Sequence, residues 1–390
     1  MRRILTTRVM RLSAACAALA ITLSASASTL IRAKMFVAPD GELKPDALVL
    51  IDGDRIVSVN DAAAKANDTH EYVGAVLCPG LIEIASQAGA VDDLNDAANP
   101  IQVDADARDA LNRRSAEYEG ALRAGITTLV LTPSNENPIG GSTAIVCFSP
   151  QPLRPVIHGD AAPLKLSLSP EALRAVYEPS SRNGLIALLR RTLDAEKADP
   201  KPETSLGKLL GGKQIGIVAA PEAADVLTCA DLAKSYGLRL APWHSSDADD
   251  VAELGAEFPG IIVGPFDFST PARHARAAAA FAKNNSTVVI AGGLPFGATD
   301  RLRLGAAIAA RSGLSPALAR RAITSAPADL LGLNESHGRL APGAMADLVV
   351  FSGDPLDLRS RVLAVYVGGQ RVFTDPSASS APRLAQEDRK

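Results

Sequence analysis

Pro79-Gly80-Leu81-Ile82-Glu83-Ile84-Ala85-Ser86-Gln87 is the stretch on which the fold reading turns. A Pro-Gly pair precedes an apolar run that reads as a β-strand, and residues 83, 85 and 87 share one face of it. This strand belongs to the first of eight β-rich runs. They are Ala75–Ala85, Ile126–Thr132, Thr143–Phe148, Leu164–Leu168, Gln214–Ala219, Leu238–Trp243, Ile261–Val263 and Thr287–Ala291.

Helical stretches separate several of these runs. Asp104–Ala124 is charged and Ala-rich, and Asn183–Lys197 repeats Leu and Ile at helical spacing. Pro221–Tyr236 opens on proline and ends before Gly237; Pro271–Lys283 and Arg301–Ser312 follow the same logic. Short strands alternating with helices predict an α/β fold of parallel strands with crossover helices. Eight such units in about 250 residues predict a (β/α)8 TIM-like barrel over 75–337. The rival, a doubly wound open sheet, wants a Gly-rich loop after its first strand, and Pro79-Gly80 comes before the strand's end.

The flanks differ. Residues 28–74 and 338–373 read as short strands with turns, Asp52-Gly53-Asp54 being a hairpin signal. They are expected to fold together as a small β-sandwich domain beside the barrel. Residues 1–27 hold Arg2, Arg3, Arg8 and Arg11, then the apolar run Leu12–Leu23, then Ala25-Ser26-Ala27. That is a secretory signal layout, too short for a membrane span, and predicts a periplasmic or secreted protein free of the membrane after cleavage. Residues 374–390 are Ser/Ala/Pro-rich and are expected to be disordered.

The whole chain carries a formal charge of −3, and 1–27 holds four arginines and no acids, so the chain without it stands at −7. An acidic balance argues against a nucleic-acid partner. Cys78, Cys147 and Cys229 each lie in apolar surroundings and read as buried free thiols, with no CxxC or Cys/His cluster for structural zinc.

The C-terminal stretch Ser325–Asp357 carries Pro327-Ala328, Leu331-Gly332, Gly338, Leu340, Pro342-Gly343 and Ala346-Asp347-Leu348. This is similar to the end of an amidohydrolase-superfamily protein. Ala124–Asn135 (AGITTLVLTPSN) fits the same superfamily. Asn137–Val146 and the GDPLDLRSRVLAVYVGG run resemble its imidazolonepropionase-like branch. The resemblance covers nearly all of the chain after residue 27.

It implies a hydrolase of amides or cyclic amides, with zinc or another divalent metal at the C-terminal ends of the strands. The metal acidifies a bound water, and a final aspartate handles the proton. Carried over residue by residue, the implied ligands are missing. The first strand should end PGLID-x-H-x-H. Here Glu83 stands for Asp, and the two histidine positions hold Ala85 and Gln87. The fifth-strand histidine falls at Ala219 and the catalytic aspartate at Gly293.

Two polar residues remain as candidate catalytic groups. Lys165 lies near where some relatives use a carboxylated lysine, and also reads as an ordinary lysine on an exposed strand position. His244 falls at or beside the sixth-strand histidine and also reads as a hydrogen-bonded histidine at the mouth. Glu83, Gln87, Asn135 and Trp243 are expected around the pocket. Minor candidates are a His158/Asp160 pair and the acidic loop Asp92, Asp93, Asp96; His70 and His337 read as loop residues.

The expected function is therefore an exported amidohydrolase-like protein with a degenerate metal site and no cofactor. It would bind a small molecule or pair with itself or an active relative. The alternative is a hydrolase of non-peptide C–N bonds with a reduced or relocated site.

Overall fold

The computed structural model describes residues 28–96, 98–150, 156–158, 162–176, 178–244 and 248–376. The predicted leader 1–27 and most of the predicted tail lie outside them. The N-terminal strands are β1 (Thr29–Val37), β2 (Leu43–Asp52), β3 (Arg55–Val59) and β4 (Asp68–Pro79). The central strands begin with β5 (Leu81–Ser86), β6 (Ile126–Leu131), β7 (Ile139–Ser142), β8 (Ala144–Cys147) and β9 (Val156–His158). They continue with β10 (Leu164–Ser167), β11 (Gly216–Ala219), β12 (Leu240–Trp243), β13 (Ile261–Val263) and β14 (Val288–Ile290). The last are β15 (Leu348–Phe351), β16 (Val362–Val367) and β17 (Gln370–Thr374).

Both chain ends build one seven-stranded sheet, ordered β17-β16-β15-β4-β1-β2-β3. Its seam is the antiparallel pairing of β15 with β4, Leu348 opposite Pro79 and Phe351 opposite Val76. Strand alternation sends the two faces to different cores. Leu77, Leu348 and Val350 join a small core with Ile31, Val49 and Tyr366. Val76, Cys78, Val349 and Phe351 join the main core. The expected run Ala75–Ala85 is thus two strands, parted at Gly80. A Cβ on Gly80 would lie 2.0 Å from Thr127 Oγ1. The chain can cross between sheets here only as glycine. Thr374, placed in the tail by sequence, completes β17, and the Asp375 amide donates to Leu363 O.

The central strands form two sheets. One runs β14-β13-β12-β11-β10-β7 and the other β5-β6-β8-β9. Strands β10 to β14 are parallel, as are β5 and β6. The third run is the exception: β8 is antiparallel to β6, and β7 is antiparallel to β10. One bent segment, 139–147, therefore serves both sheets. Within β7, Gly141 has a φ of 95°, and a Cβ there would sit 2.6 Å from Ala105 O. Only a residue without a Cβ takes that conformation at that distance.

Helices over Arg182–Ala198, Ala223–Tyr236, Ala272–Lys283 and Arg301–Arg311 match their predicted positions closely. The second stops at Gly237, whose φ is 69°. This is the left-handed cap that glycine supplies at a helix end. The predicted helix 104–124 shrinks to Glu117–Arg123. Asp106, Asn112 and Ser115 each accept the amide two residues ahead. Such local turns compete with helix.

Candidate functional site

The C-terminal ends of β5, β6, β12, β13 and β14 converge on a cavity of about 190 Å³. In parallel α/β sheets the carboxyl ends of strands are where ligands bind. Ala85, Ser86 and Gln87 come from the end of β5, and Thr132 to Asn135 follow β6. Trp243 and His244 come from the end of β12, Pro265 follows β13, and Gly293, Leu294 and Phe296 follow β14. Arg301 closes one side from the first turn of its helix.

Three of the four positions at which the resemblance implied metal chemistry, Ala85, Gln87 and Gly293, lie on this wall. Ala219 ends β11, fully buried, and does not line it. None of the four supplies an imidazole or carboxylate. Gly293 also has a φ of 76°. This position therefore differs from an ordinary aspartate site in backbone as well as side chain. Among the described residues no group of three His, Cys, Asp or Glu is arranged to hold a metal ion. Among the described residues, the side chains at this wall therefore do not make up the ligand set of a divalent metal of the implied kind.

Glu83, expected in the pocket, stands behind the wall instead. It is fully buried. Both its oxygens accept the Gly292 amide, at 3.0 and 2.9 Å, and one also accepts the Ala85 amide at 3.1 Å. Burial pushes its carboxyl up to about 7, against these amide bonds, which pull it down. Gly292 permits the contact: a Cβ there would lie 2.3 Å from Glu83 Oε2. The same junction is tied by the Gln87 amide and the Ser86 hydroxyl, which donate to Leu294 O at 2.6 and 3.1 Å.

Lys165 is fully buried, which corrects the exposed-strand reading. Its Nζ donates to Asn135 Oδ1 at 2.9 Å and to Leu166 O at 3.0 Å, and lies 5.5 Å from the Trp243 ring centre. Burial pushes the amine down to about 7, so near neutral pH much of it is uncharged. His244 stacks on Trp243 with ring centres 4.0 Å apart, and its φ of 71° turns the chain at the end of β12. Loss of solvent and the neighbouring Lys165 push its imidazole down to about 4, against a backbone hydrogen bond at Gly264. At neutral pH His244 is an uncharged ring.

Gln87, Asn135 and Trp243 stand on the cavity wall; Lys165 lies behind Asn135 and Trp243. The acidic loop is held by local turns and docks through Asn95 Nδ2 on Ser134 Oγ at 2.8 Å. Asp160 and the side chain of His158 lie outside the described residues. His70 and His337, read as loop residues, have structural partners. His70 Nδ1 lies 2.6 Å from Tyr366 OH, and buried His337 lies beside Ser336 and Asp347. Cys78, Cys147 and Cys229 are buried and free.

Sequence reasoning missed Arg301 as a wall residue. A signal existed in its place at the first turn of a helix. An arginine there opposes the helix dipole and calls for another reason to be present.

Residues 294–373 match the sequence profile described as Amidohydrolase family. The amidohydrolase tasK of Hapsidospora irregularis is 36% identical over 75 residues, 19% of this chain and 8% of that protein. The chain thus aligns with only a small part of that relative's length. An amidohydrolase from Thermotoga maritima superposes with a TM-score of 0.76 at 25% identity, covering 89% of this chain and 100% of that one. The A. niger ochratoxinase superposes at 0.55 with 17% identity, covering 90% and 96%. A zinc-bound adenosine deaminase from Xanthomonas campestris superposes at 0.51 with 17% identity, covering 89% and 93%.

Proposed function

We propose, from the premise that the chain belongs to the amidohydrolase superfamily, that it is a metal-independent member that binds a small molecule in the cavity above Lys165. One observation carries the reading: the wall positions that would hold metal ligands are Ala85, Gln87 and Gly293. These three positions offer neither imidazole nor carboxylate, around a cavity that is still open. The superfamily's (β/α)8 barrel, in its imidazolonepropionase-like form, is the scaffold of this reading. The parallel run β10 to β14 and the ends-together sheet support it.

The proposal extends to place and partners. The layout of 1–27 supports export to the periplasm, and the missing ligands support pairing with an identical or catalytically active relative. No cofactor is assigned.

Metal analysis of the purified full chain tests the reading. Zinc and manganese are expected well below one per chain, with thermal stability indifferent to chelator. Near-stoichiometric metal would overturn it.

A second reading rests on Lys165. Its amine is buried and held near neutrality. Such an amine is a base or nucleophile, as a C–N hydrolase without metal would require. Turnover of an amide or cyclic imide that Lys165→Met abolishes would favour it. An unaltered panel of such substrates would leave the binding reading standing.

A further inference from the structure

His244 stands where two cavities meet. It lines the cavity of about 190 Å³ described above and a neighbouring one of about 290 Å³, and Pro265 is the other residue common to both. Unlike the fully buried Lys165, His244 is partly exposed. Its φ of 71° lies in the left-handed region. A glycine takes that conformation freely and a residue with a Cβ does not, so the turn itself does not call for an imidazole. Such residues persist where their neighbours fix them, and they gather at functional sites. Here the ring is fixed by stacking on Trp243, with centres 4.0 Å apart and planes 21° from parallel.

The ring makes a hydrogen bond with the backbone of Gly264 that favours its charged form. A ring N–H is therefore the donor and the Gly264 carbonyl the acceptor. A neutral imidazole carries one N–H and one lone pair, so the second nitrogen keeps its lone pair. That nitrogen is not among the buried atoms left without a partner, whereas the indole N–H of Trp243 is. Solvent reaches the one and not the other. At pH 8 an imidazole of ordinary value is already uncharged. Loss of solvent favours the same form here.

Other polar side chains of the smaller cavity are committed elsewhere. The Ser86 and Thr132 hydroxyls donate to Leu294 O and Val130 O, and Asn135 Oδ1 accepts from Lys165. Arg301 is offset by Asp267 at 2.8 Å, so the wall holds no bare charge that calls for an ionic ligand. Gln87 adds a carboxamide, which donates and accepts alike and so discriminates little. The volume of about 190 Å³ is the space of roughly six water molecules, which limits the ligand to a compact one.

Resting on the small-molecule reading above, we propose that His244 selects the ligand: the cavity takes a compact, uncharged molecule with an apolar body and a hydroxyl that donates to the open ring nitrogen of His244. Leu294 and Phe296 offer the apolar wall for the rest of that molecule. A site with an unpaired acceptor disfavours a molecule of the same shape that brings no donor.

Phenol and toluene share one shape and differ in the donor. The full chain at pH 8 is titrated with each and followed through the indole resonance of Trp243, the only tryptophan of the chain, which packs on the His244 ring. Phenol is expected to bind at least tenfold more tightly than toluene. His244→Phe keeps a ring beside Trp243 and removes the acceptor, so the two probes are expected to bind that variant alike. Should it fail to fold, nitrogen-15 spectra of the unaltered protein decide. The open ring nitrogen of His244 is expected to move upfield with phenol and to stay in place with toluene.

A preference for phenol that survives in His244→Phe would overturn the proposal by pointing to another acceptor, such as Gln87. Equal binding of both probes to the unaltered chain, or binding of neither, would overturn it too, as would phenol binding that leaves the His244 nitrogen in place. Near-stoichiometric zinc in the purified chain would instead sink the reading on which it rests.

Discussion

Glu83 and Gly292 lock the first strand of the central wall to the end of the last: both carboxyl oxygens of Glu83 accept the Gly292 amide, at 3.0 and 2.9 Å. Among the described residues, strands β14 and β5 share no ladder, so this junction rests on these side chain to backbone bonds together with the Gln87 amide donating to Leu294 O. Glu83→Ala strands the buried amides of Gly292 and Ala85. Two orphaned donors are expected to cost about 3 kcal/mol. Glu83→Gln keeps an acceptor oxygen and is expected to cost about half as much. Gly292→Ala forces a Cβ to within 2.3 Å of Glu83 Oε2 and 3.0 Å of the Leu302 Cα, and is expected to destabilise as strongly as Glu83→Ala. Chemical denaturation of the three variants checks the order. Equal losses for Gln and Ala at position 83 would remove hydrogen bonding as the cause.

Lys165 gives stability a pH dependence of known sign. Its amine titrates near 7 in the folded protein, against 10.5 as the ordinary value. Between these values the unfolded chain holds the extra proton, so Lys165 makes stability rise with pH from about 7 to about 10. The contribution approaches about 1.4 kcal/mol per pH unit. Buried thiols with raised values act in the opposite sense above pH 9, so the wild-type curve alone does not isolate Lys165. The difference between wild type and Lys165→Met does. That variant is expected to gain stability on the wild type most at pH 7 and least at pH 10. A pH-independent difference would place the burial cost elsewhere.

Asn135 is the side-chain acceptor of that amine. Asn135→Ala leaves Nζ with Leu166 O alone. The loss is expected to be about 1–2 kcal/mol in denaturant. In the double variant with Lys165→Met the cost should largely vanish, since no amine remains to satisfy. Additive losses would show that Asn135 acts independently of Lys165.

Much of the fold was legible because its signals are local. The helices at 182–198, 223–236, 272–283 and 301–311 announce themselves by periodicity and by a stop such as Gly237. The joining of the two chain ends was legible from their shared strand pattern. What stayed hidden is set by distant neighbours. Nothing near Thr143 says that 139–147 runs against both adjoining strands, β6 and β10. Lys165 looked exposed because a lysine is expected at the surface. Asn135 and Trp243 enclose it instead. The site shows the same division. That Ala85, Gln87 and Gly293 carry neither imidazole nor carboxylate could be read in the sequence, but the place of Arg301 beside them on the wall appears only once the strands converge.

Gly293 differs from an aspartate in backbone conformation as well as in side chain. Its φ is 76°. A glycine rests there without strain, whereas residues with a Cβ lose about 1–2 kcal/mol, Asn and Asp less than others. Gly293→Ala is therefore expected to lower stability by that amount, and Gly293→Asn and Gly293→Asp by less. The Cβ itself has room, its closest neighbour being Pro265 Cγ at 3.4 Å, so the loss would report conformation and not collision. Gly293→Asp is also expected to leave zinc content unchanged, because Ala85 and Gln87 still give the new carboxylate no imidazole to share an ion with. Thermal melts of the three variants, with zinc analysis of the aspartate form, decide both points. A fully stable Gly293→Ala would mean that this loop relaxes freely, and zinc bound by Gly293→Asp would mean that the ligand set was lacking one carboxylate only.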